Sequence, residues 1–172
     1  MKAPEKEKQF KELIEKNKGI FYKVSRLYCQ NETDREDLLQ EILIQIWNSF
    51  DKYDEKYKIS TWLYRISLNT AISFYRKNAS RIKKTSSFNE DEIINEEGST
   101  NQNEIKLRLL IEFINELSEI DKSLILLYLE DKSHIEISEI LGLSVSNVGT
   151  KIGRIKEKLK IQFLKHGEKY DE

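Results

Sequence analysis

The chain has one cysteine, one proline and two histidines in 172 residues, and each scarcity closes off a class of protein. With Cys29 alone no intramolecular disulfide can form, which points to a reducing compartment. Cys29 also lacks any partner pattern for catalysis or metal binding and reads as a small packed thiol. No second His or Cys lies at metal spacing from His134, which reads as a surface or capping residue in the first turn of a helix. No ordered set of nucleophile, base and orienter is present, nor a Gly-rich phosphate loop, so the chain is expected to be no enzyme and to use no metal or cofactor. The longest apolar run, residues 124–129, falls far short of the roughly 20 residues that span a bilayer. The start, Met1-Lys2-Ala3-Pro4 followed by alternating charges, has no apolar signal core. A soluble, cytoplasmic protein is expected.

What is abundant is charge at helical spacing. Phe10, Leu13, Ile14, Phe21, Val24 and Leu27 recur with that period, with a break expected near Gly19. Thr33 followed by Glu36 reads as a capping box, opening a helix with Leu38, Leu39, Ile42, Leu43, Ile46, Trp47 and Phe50 on its apolar side. A polar, tyrosine-containing loop over 51–58 follows, then a third helix capped by Ser60 or Thr61 and running to about Lys77. Between 78 and 103 the pattern collapses into Ser, Asn, Glu and Thr, too polar to bury itself. Helices through Leu110, Phe113, Ile114 and Leu117, and through Leu124, Ile125, Leu127 and Tyr128, precede a last segment from Ser133. No strand-like alternation appears. The expected fold is all-α: two small helical domains, 1–80 and 104–172, joined by a flexible acidic linker over 81–103.

A net charge of −1 conceals a division of sign. Residues 56–84 hold eight Lys or Arg and no acid, whereas residues 32–55 hold eight acids against Arg35 and Lys52. Residues 147–166 hold six Lys or Arg against Glu157. Each domain thus has a basic segment. A charge run is ordinarily a solvated face, so each needs a second argument.

In the C-terminal half that argument is Ser133-His-Ile-Glu-Ile-Ser-Glu-Ile-Leu-Gly-Leu-Ser-Val-Ser-Asn-Val148, which has the spacing of a helix-turn-helix. Ile137, Ile140 and Leu141 are the expected buried residues of the first helix, and Ser138 is small where the second helix crosses it. Gly142 ends that helix, because a left-handed cap is cheap only for glycine. Leu143 plugs the corner and Ser144 caps the second helix. Val148, Ile152, Ile155 and Leu159 fall on one stripe of it, which leaves Ser146, Asn147, Thr150, Lys151 and Arg154 outward, where a recognition helix meets base edges and phosphates. A plain helical hairpin with a solvated basic face is the alternative.

In the N-terminal half, Leu63, Ile66, Thr70 and Phe74 are the expected buried stripe of the third helix. At about 100° per residue, Trp62, Arg65, Asn69, Ile72 and Arg76 share another sector. Aromatics stack on unpaired bases while arginines hold the backbone, so this sector suits single-stranded DNA. Trp62 reads equally as a core aromatic near a helix start.

Asp37-Leu-Leu-Gln-Glu-Ile-Leu-Ile-Gln-Ile-Trp47 followed by Ile59-Ser-Thr-Trp-Leu-Tyr-Arg-Ile-Ser-Leu-Asn-Thr-Ala-Ile-Ser-Phe-Tyr-Arg-Lys77 resembles region two of the extracytoplasmic-function (ECF) type of RNA polymerase sigma factor. The helix-turn-helix is similar to region four of the same family, and the resemblance covers nearly the whole chain in order. It implies a promoter-recognition subunit whose partners are core RNA polymerase and promoter DNA, both duplex and melted. Asp37, Gln40, Glu41 and Gln45 are then the outward residues of a helix that docks on the polymerase's clamp helices, with 38–50 as core. Trp62, Arg65, Asn69 and Arg76 are implied to melt the minus-ten element and hold a flipped base, with loop 51–58 adding to that pocket. Ser146, Asn147, Thr150, Lys151 and Arg154 are implied to read the minus-thirty-five element, and the acidic linker to thread toward the polymerase active centre. Gly149 and Gly153 depart from the family, which usually carries Lys or Arg at the first and a larger or polar residue at the second. Each costs roughly 1 kcal/mol inside a helix unless close approach of DNA compensates. With no further sensing domain expected, control is expected from outside the chain, an anti-sigma factor being one candidate for it.

Two rivals make different demands. A conventional helix-turn-helix repressor or activator with an N-terminal dimerisation domain would bind duplex tightly without polymerase. A helical protein-interaction adaptor would touch no DNA, leaving both basic faces unexplained.

Overall fold

The computed structural model describes residues 3–85 and 102–168. Among them are seven α-helices and no strand: α1 (Ala3–Tyr28), α2 (Glu32–Ser49), α3 (Ile59–Thr85), α4 (Gln102–Asn115), α5 (Glu119–Leu129), α6 (His134–Leu141) and α7 (Val145–Glu168), with a 3-10 turn over Phe50–Lys52 after α2. The chain divides into two compact units, one around α1–α3 and the other around α4–α7. The expected linker lies largely in 86–101, outside the described residues; α3 continues past Lys77 to Thr85, and α4 starts at Gln102.

In the first unit the three helices pack on one another pairwise. Leu38, Ile42 and Ile46 of α2, Val24 of α1, and Leu63 and Leu68 of α3 are wholly buried; burying such a side chain contributes about 1.5–3 kcal/mol. Three sequence expectations differ here. Helix α1 runs unbroken through Gly19, whose added Cβ would meet nothing within 4 Å; the helix accepts the glycine's intrinsic cost because packing elsewhere holds it. Helix α2 is capped by Asn31, not by Thr33: the Asn31 side chain accepts from the Asp34 amide at 2.8 Å and its own amide donates to Asp34 Oδ2 at 2.6 Å. Asn is at least as good a cap as Thr, so the start slides toward it. Helix α3 opens with Trp62 N–H donating to the Lys58 carbonyl, placing Ser60 and Thr61 within its first turn rather than at the cap.

The buried side of α3 is also not the expected one. Thr61, Leu63, Tyr64, Ser67, Leu68, Ala71 and Ile72 are buried, while Ile66, Thr70 and Phe74 are half-buried. The reason is that α3 packs against both α1 and α2, so its buried arc is wide and uses small residues, Ser67 and Ala71, where backbones approach. Along α2, Trp47 was expected in the core; it is 36% exposed and Phe50 is half-buried. Phe10 of α1 meets both edge-on, at 5.0 and 5.8 Å between centroids, and Lys6 Nζ lies 4.7 Å over the Trp47 ring while pairing with Asp51.

In the second unit the helix-turn-helix forms as its sequence demands. Ser133 and Glu136 make a reciprocal capping box at the start of α6, at 3.1 and 3.0 Å. Gly142 ends α6 at φ 68°, ψ 28°, a left-handed conformation that needs glycine. The Ser138 hydroxyl donates to the Leu143 carbonyl across the corner, and Ser144 Oγ accepts from the Asn147 amide at 3.2 Å. Ile137, Ile140, Val148, Ile152, Ile155 and Leu159 are buried; Leu141 is half-buried. Phe113 of α4, Leu117 in the turn that follows it, and Leu124 and Leu127 of α5 complete the core, with Phe113 edge-on to Phe163 of α7 at 5.0 Å.

Candidate functional site

Helices α2 and α3 enclose an open groove of about 700 Å³. Its α2 wall holds Asp37, Gln40, Glu41 and Gln45, and its α3 wall Asn69, Thr70, Phe74, Lys77 and Arg81. Asp37, Gln40 and Glu41 are exposed and Gln45 is half-buried, with its amide donating to Glu41 Oε1 at 3.2 Å. The four residues expected on one outward face of α2 therefore do share a wall. Lys77 was not singled out by the sequence argument; it lies just one residue past Arg76 but on the groove side, a distinction only the rotation of α3 settles.

Of the five residues placed on the other sector of α3, Arg65, Asn69 and Arg76 are exposed and Trp62 is half-buried. Asn69 is the member that also lines the groove, so it stands where the two faces meet. Ile72, expected to share the sector, is 6% exposed and belongs to the core. Trp62 is neither free nor buried: the Tyr53 ring lies 5.1 Å from it at 51°. The same Tyr53 donates its hydroxyl to the Tyr57 carbonyl at 2.7 Å, and Asp54 Oδ1 accepts from the Lys56 amide at 3.0 Å. Loop 51–58 is thus closed on itself, with one aromatic against Trp62. Tyr53 carried no periodic signal, since it lies in an irregular segment.

The basic segment over 56–84 is partly committed to structure. Arg81 Nη1 lies 2.8 Å from Asp34 Oδ1, a carboxylate whose side chain is 2% exposed. Beside it, burial first and the Asp34 charge second push the Cys29 thiol up to about 12, so Cys29 stays protonated and inert, as a packed thiol should.

On α7, Ser146, Asn147, Thr150 and Arg154 are exposed and Lys151 half-buried, all off the buried stripe. The Thr150 hydroxyl donates to the Ser146 carbonyl at 3.0 Å. No group of His, Cys, Asp or Glu suited to a metal occurs among the described residues. None of their helices is long and apolar enough to cross a membrane.

The comparisons with known proteins fall on both units. Residues 13–81 match Sigma-70 region 2 and residues 107–159 match Sigma-70, region 4. The ECF RNA polymerase sigma factor SigW of Bacillus subtilis (strain 168) is 30% identical over 169 residues, covering 89% of this chain and 88% of its own. RNA polymerase sigma factor SigV of the same organism is 30% identical over 153 residues, covering 88% and 89%. Two solved structures share the fold, each with a TM-score of 0.65. CnrH, in complex with the cytosolic domain of CnrY, is 23% identical and is matched over 91% of this chain and 88% of its own. The sigma factor RpoE of Bartonella quintana, in complex with the anti-sigma factor NepR, is 19% identical over 91% and 97%. Two units with two sigma regions in order, on a chain matched nearly end to end, leave one conclusion: this protein belongs to the ECF-type RNA polymerase sigma factors, the non-enzymatic subunits that direct promoter-specific transcription initiation.

Proposed function

We propose a division of that task among named residues. Asp37, Gln40, Glu41 and Gln45 on the α2 wall dock core polymerase. Trp62, Arg65, Asn69 and Arg76 on α3 hold the melted minus-ten strand. Ser146, Asn147, Thr150, Lys151 and Arg154 on α7 read the minus-thirty-five duplex. The observation that carries this reading is the α2–α3 pair itself: exposed acids line the α2 wall of the groove, Arg65 and Arg76 are exposed on α3 outside that groove, and Asn69 lies where the two faces meet. A protein can dock through one while DNA follows the other. Electrostatic attraction supplies the phosphate contacts, and stacking with hydrogen bonds offsets the cost of unpairing. The Tyr53–Trp62 contact supports a half-exposed indole positioned for stacking rather than a core one. The domain division follows the helices, one unit per promoter element, and the cytoplasm is where polymerase and promoter are met. A protein of the class solved with RpoE would supply control from outside the chain.

The test is promoter melting. Arg65→Ala with Asn69→Ala in the holoenzyme is expected to leave closed-complex formation on duplex promoter largely intact and to lower permanganate reactivity of minus-ten thymines. A promoter pre-melted across that element restores part of the loss. Equal duplex reactivity for mutant and wild type would remove α3 from the mechanism.

A further inference from the structure

Gly149 sits in the second turn of α7, and a Cβ built there would stand 3.4 Å from His134 Nδ1 and 3.5 Å from its Cε1. The imidazole of α6 therefore lies in ordinary contact with the space that a side chain at 149 would occupy. His134 is exposed, and it takes no part in capping α6, since Ser133 and Glu136 make that box by themselves. One turn further along the same side, Gly153 has nothing within 4 Å of its Cβ position. The flank of α7 at 149 and 153 thus has no side chain of its own, and His134 is what furnishes it.

At about 100° per residue, Gly149 lies beside Ser146 and Gly153 at one edge of the outward face, and Lys151 lies at the other edge. A helix is about 10–12 Å across with its side chains, and the major groove is about 12 Å wide. The outward face of a seated helix then meets bases, and its edges meet the phosphate walls. We propose that His134 is a DNA-contacting residue of the minus-thirty-five interface, its imidazole donating a hydrogen bond to a backbone phosphate along the side of α7 that Gly149 and Gly153 leave open. This rests on the reading of α7 as the duplex-facing helix. It also gives the two glycines a use: their missing side chains let the wall of the groove come close on the side where the donor waits on another helix.

The experiment uses the full chain assembled with core polymerase and two duplex probes. One is a sequence enriched from a random pool by the wild-type holoenzyme; the other is its shuffled counterpart. His134→Phe keeps a ring over Gly149 without a donor, and His134→Gln keeps a donor without the ring. Loss of one hydrogen bond predicts that H134F binds both probes about 3- to 10-fold more weakly, with H134Q within about twofold of wild type. Wild-type affinity in H134F, or weak binding by H134Q alongside tight H134F, overturns the proposal, the latter by showing that the ring only packs. A loss in H134F confined to the enriched probe overturns the phosphate assignment. Arg154→Ala separates the two levels of inference. If R154A weakens binding to the enriched probe and H134F does not, the role of α7 stands and that of His134 falls. If neither weakens it, the reading of α7 falls and His134 with it.

Discussion

Replacing Arg81 with alanine should destabilise the first unit by about 1–3 kcal/mol, although Arg81 is half exposed and near the end of a 27-residue helix. The partner of Arg81 sets the cost. The Asp34 side chain is 2% exposed, with Oδ2 receiving the Asn31 amide at 2.6 Å and Oδ1 facing Arg81 Nη1 at 2.8 Å. Removing one member of a fully buried ion pair costs about 3–5 kcal/mol, because the other charge stays buried without compensation. The guanidinium here is 50% exposed, so solvent screens the pair and water can follow the departed side chain, which lowers the figure to the range given. Both tryptophans of the chain, Trp47 and Trp62, lie in α2 and α3. Tryptophan emission during urea unfolding therefore reports on this unit alone, even in the full chain. The midpoint should fall with an unchanged slope. Asp34→Asn removes the charge, so R81A in a D34N background should cost clearly less than R81A alone, a coupling of about 1 kcal/mol or more. An R81A midpoint within about 0.5 kcal/mol of wild type, or additive single mutants, would refute the reasoning.

Reversing Asp37 and Glu41 to Lys should weaken core polymerase binding about tenfold or more while leaving the urea midpoint nearly unmoved, since both are exposed; a folded double mutant with normal affinity would count against the α2 docking wall. Gly153→Ala should raise the thermal midpoint of the second unit by the equivalent of about 0.5–1 kcal/mol, followed by far-ultraviolet circular dichroism, because the added methyl meets nothing within 4 Å and glycine is costly in a helix interior. Cys29 should react with a disulfide reagent at pH 8 only at the rate of unfolding. Burial pushes its thiol up from 9.0 to about 12, so its contribution to stability is present below pH 9 and is lost as pH rises toward 12. Rapid labelling of the native protein would contradict its burial.

The helix-turn-helix was legible in its caps, corner and stripe, Leu141 apart, because local rules decide it. A left-handed Gly142, capping serines and a stripe at Val148, Ile152, Ile155 and Leu159 involve neighbours within a few turns, and such short-range preferences agree with the packed result. The all-helical class and the outward face of α2 were legible for the same reason. What tertiary structure alone decided is the rotation and reach of each helix where it packs on two others. Helix α3 buries Tyr64, Ser67 and Ala71 and leaves Thr70 and Phe74 to the groove, since a helix wedged between α1 and α2 needs a wide arc and small residues at its closest approaches. Arg81 reads as one more surface cation until Asp34 is seen buried beside it, and Asn31 outcompetes Thr33 by pairing with that same aspartate. His134 reads as a lone surface histidine. Only the crossing of α6 over α7 lays it against Gly149, because pattern along one helix fixes which way a side chain points but not what another helix brings to meet it.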